Sequence, residues 1–218
     1  MKRASIYILS ALFLAAGISA CGKTTKGKMV NDWKVTSYNE EMAFVSSNGD
    51  KDIHTISMTE SSVTTTTVHT PATGPGSTYS QTGTVKLHEW TIKKDGTWSS
   101  VQEIGFGGGN STYTNKIEQS GTWSFLRTTK GDEFGKNERV HFNILQSKSL
   151  ENSTSGQIVN TNSDEETYLT GEKVMVYTIK SSKKDALEME LENDYRFTQT
   201  SGNNNSHTLT RTITLQGK

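Results

Sequence analysis

Residues 84–103 restrict this chain to a β fold more tightly than any other stretch. Val85, Leu87, Trp90 and Ile92 precede Lys93-Lys94-Asp95-Gly96, and Thr97-Trp98-Ser99-Ser100-Val101 follows. Asp-Gly between two β-rich runs is a hairpin turn, because glycine accepts the positive φ that primed turns require. The pattern recurs along the chain. Trp33 and Val35 open a first strand, and residues 42–45 continue it after a polar break at 39–41. Ile53-His54-Thr55-Ile56-Ser57-Met58 and Val63-Thr64-Thr65-Thr66-Thr67-Val68 are β-branched throughout and predict two long, solvated strands. Residues 113–126, 140–145 and 174–179 predict further strands. Leu187, Met189 and Leu191 share one face and Glu188, Glu190 and Glu192 the other, the period of two of a half-buried strand. Residues 209–215 form the closing strand.

The connections are polar. Residues 70–83, with Pro71, Pro75 and three glycines, predict a loop that leads into pairing near Tyr79. Gly105-Phe106-Gly107-Gly108-Gly109-Asn110 breaks the strand pattern. Residues 151–172 lack the apolar side chains needed to pack and predict a large exposed loop; residues 202–206 predict a turn. Leucine-rich helical periodicity is nearly missing beyond residue 20, so the fold class is all-β and antiparallel. About 190 residues after the N-terminal segments suit a single β-barrel or β-sandwich domain. The apolar share of 31% is lean for that length.

The N-terminus carries an address. Lys2 and Arg3 precede an apolar run over 6–18 and small residues, the order of an export signal. That run is about 13 residues, short of the roughly 20 that cross a bilayer core. Residues 1–20 are therefore expected to be a helical signal peptide. Cys21 is the only cysteine of 218 residues, so it has no intramolecular disulfide partner. Gly22-Lys23-Thr24-Thr25-Lys26-Gly27-Lys28 is small, polar and basic, and predicts a flexible tether over 21–28. The charge balance of 23 basic and 23 acidic residues becomes 21 − 23 = −2 once Lys2 and Arg3 are removed. That balance offers no basic field for nucleic acid.

Ile18-Ser19-Ala20-Cys21 resembles the lipobox of bacterial lipoproteins, which implies cleavage after Ala20 and lipid on Cys21. Gly22, rather than Asp, after the cysteine implies the outer membrane by resemblance to proteobacterial sorting. Lysines in place of acidic residues favour the periplasmic face over the cell surface. Asp32-Trp33-Lys34-Val35, Trp90-Thr91-Ile92-Lys93-Lys94-Asp95-Gly96-Thr97-Trp98, Gly121-Thr122-Trp123-Ser124-Phe125, Tyr177-Thr178-Ile179 and Leu187-Glu188-Met189 together resemble the lipocalin-like lipoproteins of the Bacteroidetes. The resemblance implies a lipocalin-like β-barrel over 29–218, anchored to the envelope. Asn31 departs from the Gly-x-Trp of that family's first strand, and residues 151–172 exceed a compact barrel, so a β-sandwich stays as the alternative.

Candidate chemistry is sparse. His54, His69, His88, His141 and His207 form no His-x-His or His-x-x-x-His pair, so no metal site is predicted. Asn160-Thr161-Asn162-Ser163-Asp164 begins like a calcium loop, but Glu165 and Gly171 occupy the positions of its glycine and its bidentate glutamate. The glycines of 105–109 are followed by neither a helix nor a P-loop lysine. The expectation is a non-enzymatic protein without cofactor. Trp33, Trp98 and Trp123 are expected to face inward, in an interior either filled by side chains or holding one small apolar ligand. The alternative is a protein- or glycan-interaction module acting through the loops at 70–83 and 151–172; the sequence specifies no protein partner.

Overall fold

The computed structural model describes residues 24–126, 137–198 and 204–218. The signal segment 1–20, Cys21 and the first tether residues lie outside them. A helix, α1 (Thr25–Met29), leads into β1 (Asn31–Val45), β2 (Lys51–Thr59), β3 (Ser62–Thr70), β4 (Ser77–Ile92), β5 (Thr97–Gly108) and β6 (Ser111–Leu126). β7 (Arg139–Ser155), β8 (Ile158–Thr167), β9 (Val174–Ser182), β10 (Ala186–Thr198) and β11 (Asn204–Gly217) follow.

The eleven strands form one antiparallel sheet in the order β6-β5-β4-β3-β2-β1-β11-β10-β9-β7-β8, and a β6–β7 pairing joins its two ends. Ten strands thus make a closed ring with β8 outside it, which excludes the sandwich. At the end carrying α1, the base, β1 also pairs directly with β4 from Asn31↔Ile92 to Lys34↔Glu89. The β2–β3 hairpin is wedged between β1 and β4 only above that point, so the barrel is an eight-strand girdle at its base and wider toward the opposite rim. Closure leaves the ring strands few edges to protect.

The base is packed. Trp33, Ile92, Trp98, Val140, Phe142, Tyr177, Met189 and Leu215 are among its buried side chains. Trp33 is fully buried, and its Nε1 donates to the carbonyl of Met29 at 2.9 Å, taking up an orphan acceptor of α1. Asn31 does not disturb this floor. The small residue sits across the ladder instead, since Trp33 pairs with Gly217, where a Cβ would lie 2.7 Å from Asn31 Nδ2.

Gly121 fills a comparable need at the β6–β7 crossing. A Cβ there would lie 1.9 Å from the carbonyl oxygen of Asn143, the atom that accepts from Trp98 Nε1 at 3.0 Å. Backbone cannot yield as a flexible side chain can. Gly121→Ala is therefore expected to lower stability by about 3 kcal/mol, the upper range for overpacking. Chemical denaturation checks this, and a loss below about 1 kcal/mol would show that the strands separate freely.

Several sequence expectations are corrected. The tether ends earlier than predicted: residues 25–28 belong to α1, whose N-cap Thr24 accepts from Gly27 N, while Lys28 Nζ donates to the Ser182 carbonyl at 3.2 Å. The polar residues 39–41 do not break β1. The glycines of 105–110 leave β5 intact to Gly108, and Gly109, with φ 59°, makes the turn. The loop predicted at 70–83 shrinks to 71–76, and the loop predicted at 151–172 is mostly the β7–β8 ribbon, closed by Gly156 with φ 61°. Every β8 residue is exposed, so no apolar alternation marks it. What holds it is the backbone ladder, with Lys148–Glu165 at 3.2 Å and Thr161–Asn152 at 2.9 Å across it. The surface that the alternative reading uses at 151–172 is thus mostly an exposed ribbon rather than a loop. The 202–206 turn overlaps β11 from Asn204, and residues 202 and 203 lie outside the described residues.

Candidate functional site

The three tryptophans singled out from sequence are buried, and all three belong to the packed base. Trp123 Nε1 donates to the Lys93 carbonyl at 2.8 Å, and Lys26 Nζ lies 5.9 Å above its ring. Trp98 stacks on Trp90 with ring centroids 5.3 Å apart, and Phe142 meets both rings edge-on. Below this layer the interior is filled. Of the four tryptophans, Trp90 is the one whose ring reaches open space above.

That space is a cavity of about 330 Å³, within the range of small-molecule sites. Trp90 and Tyr177 form its floor, and Tyr38, His88, Ser100, Gln102, Gln119 and Arg211 supply its polar wall. Ile117, Ile144, Met175, Leu191 and Leu209 supply the apolar remainder.

Two β-bulges bring charged and titratable groups inside. Along β1, Trp33 and Val35 point inward, and strict alternation would send Ser37 and Asn39 after them. The register slips between Val35 and Ser37, so Tyr38 and Glu40 turn inward instead. A second slip, between Val85 and Leu87 on β4, precedes His88, Trp90 and Ile92 on the inner face. On β11, Arg211 lies on the same face as Leu209, Ile213 and Leu215, directly opposite Glu40.

These groups form one network. Arg211 Nε donates to Glu40 Oε2 at 2.6 Å and Nη2 lies 2.5 Å from the same oxygen. Arg211 Nη1 donates to the Tyr177 hydroxyl at 3.1 Å, and the Tyr38 hydroxyl donates to Glu40 Oε2 at 2.5 Å. Burial opposes the charge on Arg211, yet Tyr177, Tyr38 and Glu40 outweigh it and raise its pKa. Burial raises the pKa of Tyr38 well above the usual phenol value, against the pull of Arg211 and with the help of Glu40. Burial raises that of Tyr177 too, although Arg211 opposes it. Both remain phenols at neutral pH.

His88 stands 5.5 Å from the Tyr38 ring, 7% exposed, and its Nδ1 has no hydrogen-bond partner among the described residues. Burial, then the Arg211 charge, lower its pKa from 6.5 to about 4, so it is neutral at physiological pH. That nitrogen is itself shielded from solvent, so it stands as an unsatisfied buried group beside the cavity.

Access follows from the pairing. The β9–β10 ladder stops at Thr178↔Glu190, whereas β9 stays with β7 up to Val174↔Asn143. β9 thus leaves β10 just above Tyr177, and the exposed residues Lys173 and Val174 border the cavity at that notch. The cavity opens through the side of the barrel.

Sequence reasoning singles out Tyr177 as an aromatic strand residue and His88 among the scattered histidines, and joins neither to Tyr38, Glu40 or Arg211. Arg211 carried a usable signal, since a cation among Leu209, Ile213 and Leu215 on one strand face requires a buried partner. Glu40 carried none, because its face depends on the bulge. Of the other histidines, His54 bonds Thr67 and His69 meets Asp52 at 2.7 Å; among the described residues no group of three or more His, Cys, Asp or Glu could hold a metal ion. No helix among them is long and apolar enough to cross a membrane. Comparison with family models, with curated proteins and with solved structures finds no match to this chain.

Proposed function

We propose that the chain is a lipid-anchored protein of a bacterial outer membrane, facing the periplasm, whose barrel is a non-enzymatic container for a small, largely apolar molecule. The observation that carries the reading is the side-opening cavity above a packed aromatic floor, with the polar side chains of Ser100, Gln102 and Gln119 in its wall. Packing of Trp33, Trp98 and Phe142 stabilises the barrel without the cavity, so the open volume is free to serve binding. Anchoring follows from the lipobox-like Ile18-Ser19-Ala20-Cys21: several acyl chains, each buried methylene contributing about 0.8 kcal/mol, hold a protein at a bilayer where one chain does not.

Native mass spectrometry of the protein purified from its own envelope tests the container. The expected result is a retained small molecule that Ile144→Trp, which fills the cavity, removes while the protein stays folded. Identical spectra for the two proteins, with no bound mass, would overturn the reading.

A further inference from the structure

We propose that the cavity selects ligands whose polar head is uncharged, with Glu40 serving as a built-in counter-ion that denies Arg211 to anionic heads. The proposal rests on the container reading and names the chemistry of its ligand.

An arginine in a cavity wall would ordinarily recruit a carboxylate. Here the recruitment is internal. Glu40 faces Arg211 across the β1–β11 ladder, only 8% exposed, and Nε and Nη2 both meet its Oε2 while Nη1 is turned to Tyr177. The pair is neutral as a unit. An incoming carboxylate seeking Arg211 would have to settle beside Glu40, like charge against like charge in a site of low dielectric. A repulsive element of this kind discriminates as effectively as an attractive one.

Inside the cavity the groups with spare hydrogen-bonding capacity are neutral, and the cation at its mouth, Lys173, donates to the Tyr168 hydroxyl at 2.7 Å and lies 3.9 Å from Glu166. Ser100, Gln102 and Gln119 face the cavity and make no side-chain hydrogen bond among the described residues. Two carboxamides and a hydroxyl both donate and accept, which suits an amide or hydroxyl head. On the other side Ile144, Leu191 and Leu209 offer an apolar surface to the body of the molecule. The ligand class is an uncharged amphiphile: a short-chain amide, alcohol or ester with an aliphatic or alicyclic body.

Hexanamide and hexanoate, nearly equal in shape and different in charge, provide the test. Each is titrated calorimetrically at pH 7.5 into the full chain in detergent micelles, with the titration of empty micelles subtracted. Hexanamide is expected to bind at least about ten-fold more tightly than hexanoate, and Glu40→Gln, which frees Arg211, is expected to reverse the order. Hexanoate binding to the unaltered protein as tightly as hexanamide would overturn the proposal, whether or not Glu40→Gln folds. An unchanged ratio in folded Glu40→Gln would also overturn it. Should that variant fail to fold, Glu40→Met with Arg211→Met is expected to keep the preference for hexanamide, and a gain of hexanoate binding there would count against the proposal. Binding of neither probe to any of these proteins would overturn the container reading and this inference together, whereas loss of selectivity with binding retained overturns the inference alone.

Discussion

Replacing Arg211 with Met is expected to lower the stability of the barrel by about 3–5 kcal/mol, the range for breaking a buried ion pair on one side. The loss comes from what stays behind. Glu40, 8% exposed, would keep its carboxylate without a cation, and the hydroxyl of Tyr177 would lose its charged donor. Replacing both Glu40 and Arg211 with Met is expected to recover at least half of that loss, because apolar side chains of similar volume carry no desolvation penalty. Recovery is incomplete because the Tyr38 hydroxyl then lacks its acceptor, at about 1–3 kcal/mol. Urea unfolding of the three proteins measures the cycle. Were Arg211→Met to unfold within about 1 kcal/mol of the unaltered protein, the pair would have to be well solvated rather than buried.

Acidification is the second large effect. His88 has its pKa lowered from 6.5 to about 4 in the folded protein, so between those values the unfolded chain takes up a proton that the folded chain refuses. Stability is therefore fully present above pH 6.5 and declines as pH falls toward 4. The displacement corresponds to about 3 kcal/mol, since each pKa unit is about 1.4 kcal/mol. Carboxylates add to the decline below pH 5, so the diagnostic quantity is the difference from His88→Gln. Melting curves at pH 7 and pH 4.5 should show that variant losing markedly less than the unaltered protein. Equal losses would mean that His88 is protonated inside the folded barrel without penalty.

The two effects meet in a region that the sequence pattern obscures. A hairpin at Asp95-Gly96 is legible because its turn chemistry is local: Gly96 has φ 88°, and Asp95 Oδ1 accepts from Thr97 N at 2.9 Å. Trp33, Trp98 and Trp123 are legible as interior because large aromatics between polar neighbours have few other places to go. β8 is not legible, since a strand with both faces in water shows no period of two. Glu40 and His88 are illegible for a different reason. A bulge of one residue exchanges the two faces of all that follows, and no residue type announces the slip on β1. The polar stretch 39–41, which reads as a gap between strands, holds the carboxylate of Glu40 that pairs with Arg211 of the cavity wall.

The helix beneath the barrel has one more consequence. Under the lipid-anchored reading, the four steps from Cys21 to the start of α1 at Thr25 can span at most about 14 Å. Lys28, fastened to the Ser182 carbonyl, holds α1 to the underside. An anchor of that length would hold the base of the barrel toward the lipid and keep its side opening close to the bilayer surface. Molecules leaving or joining that surface would pass its door before reaching the open periplasm.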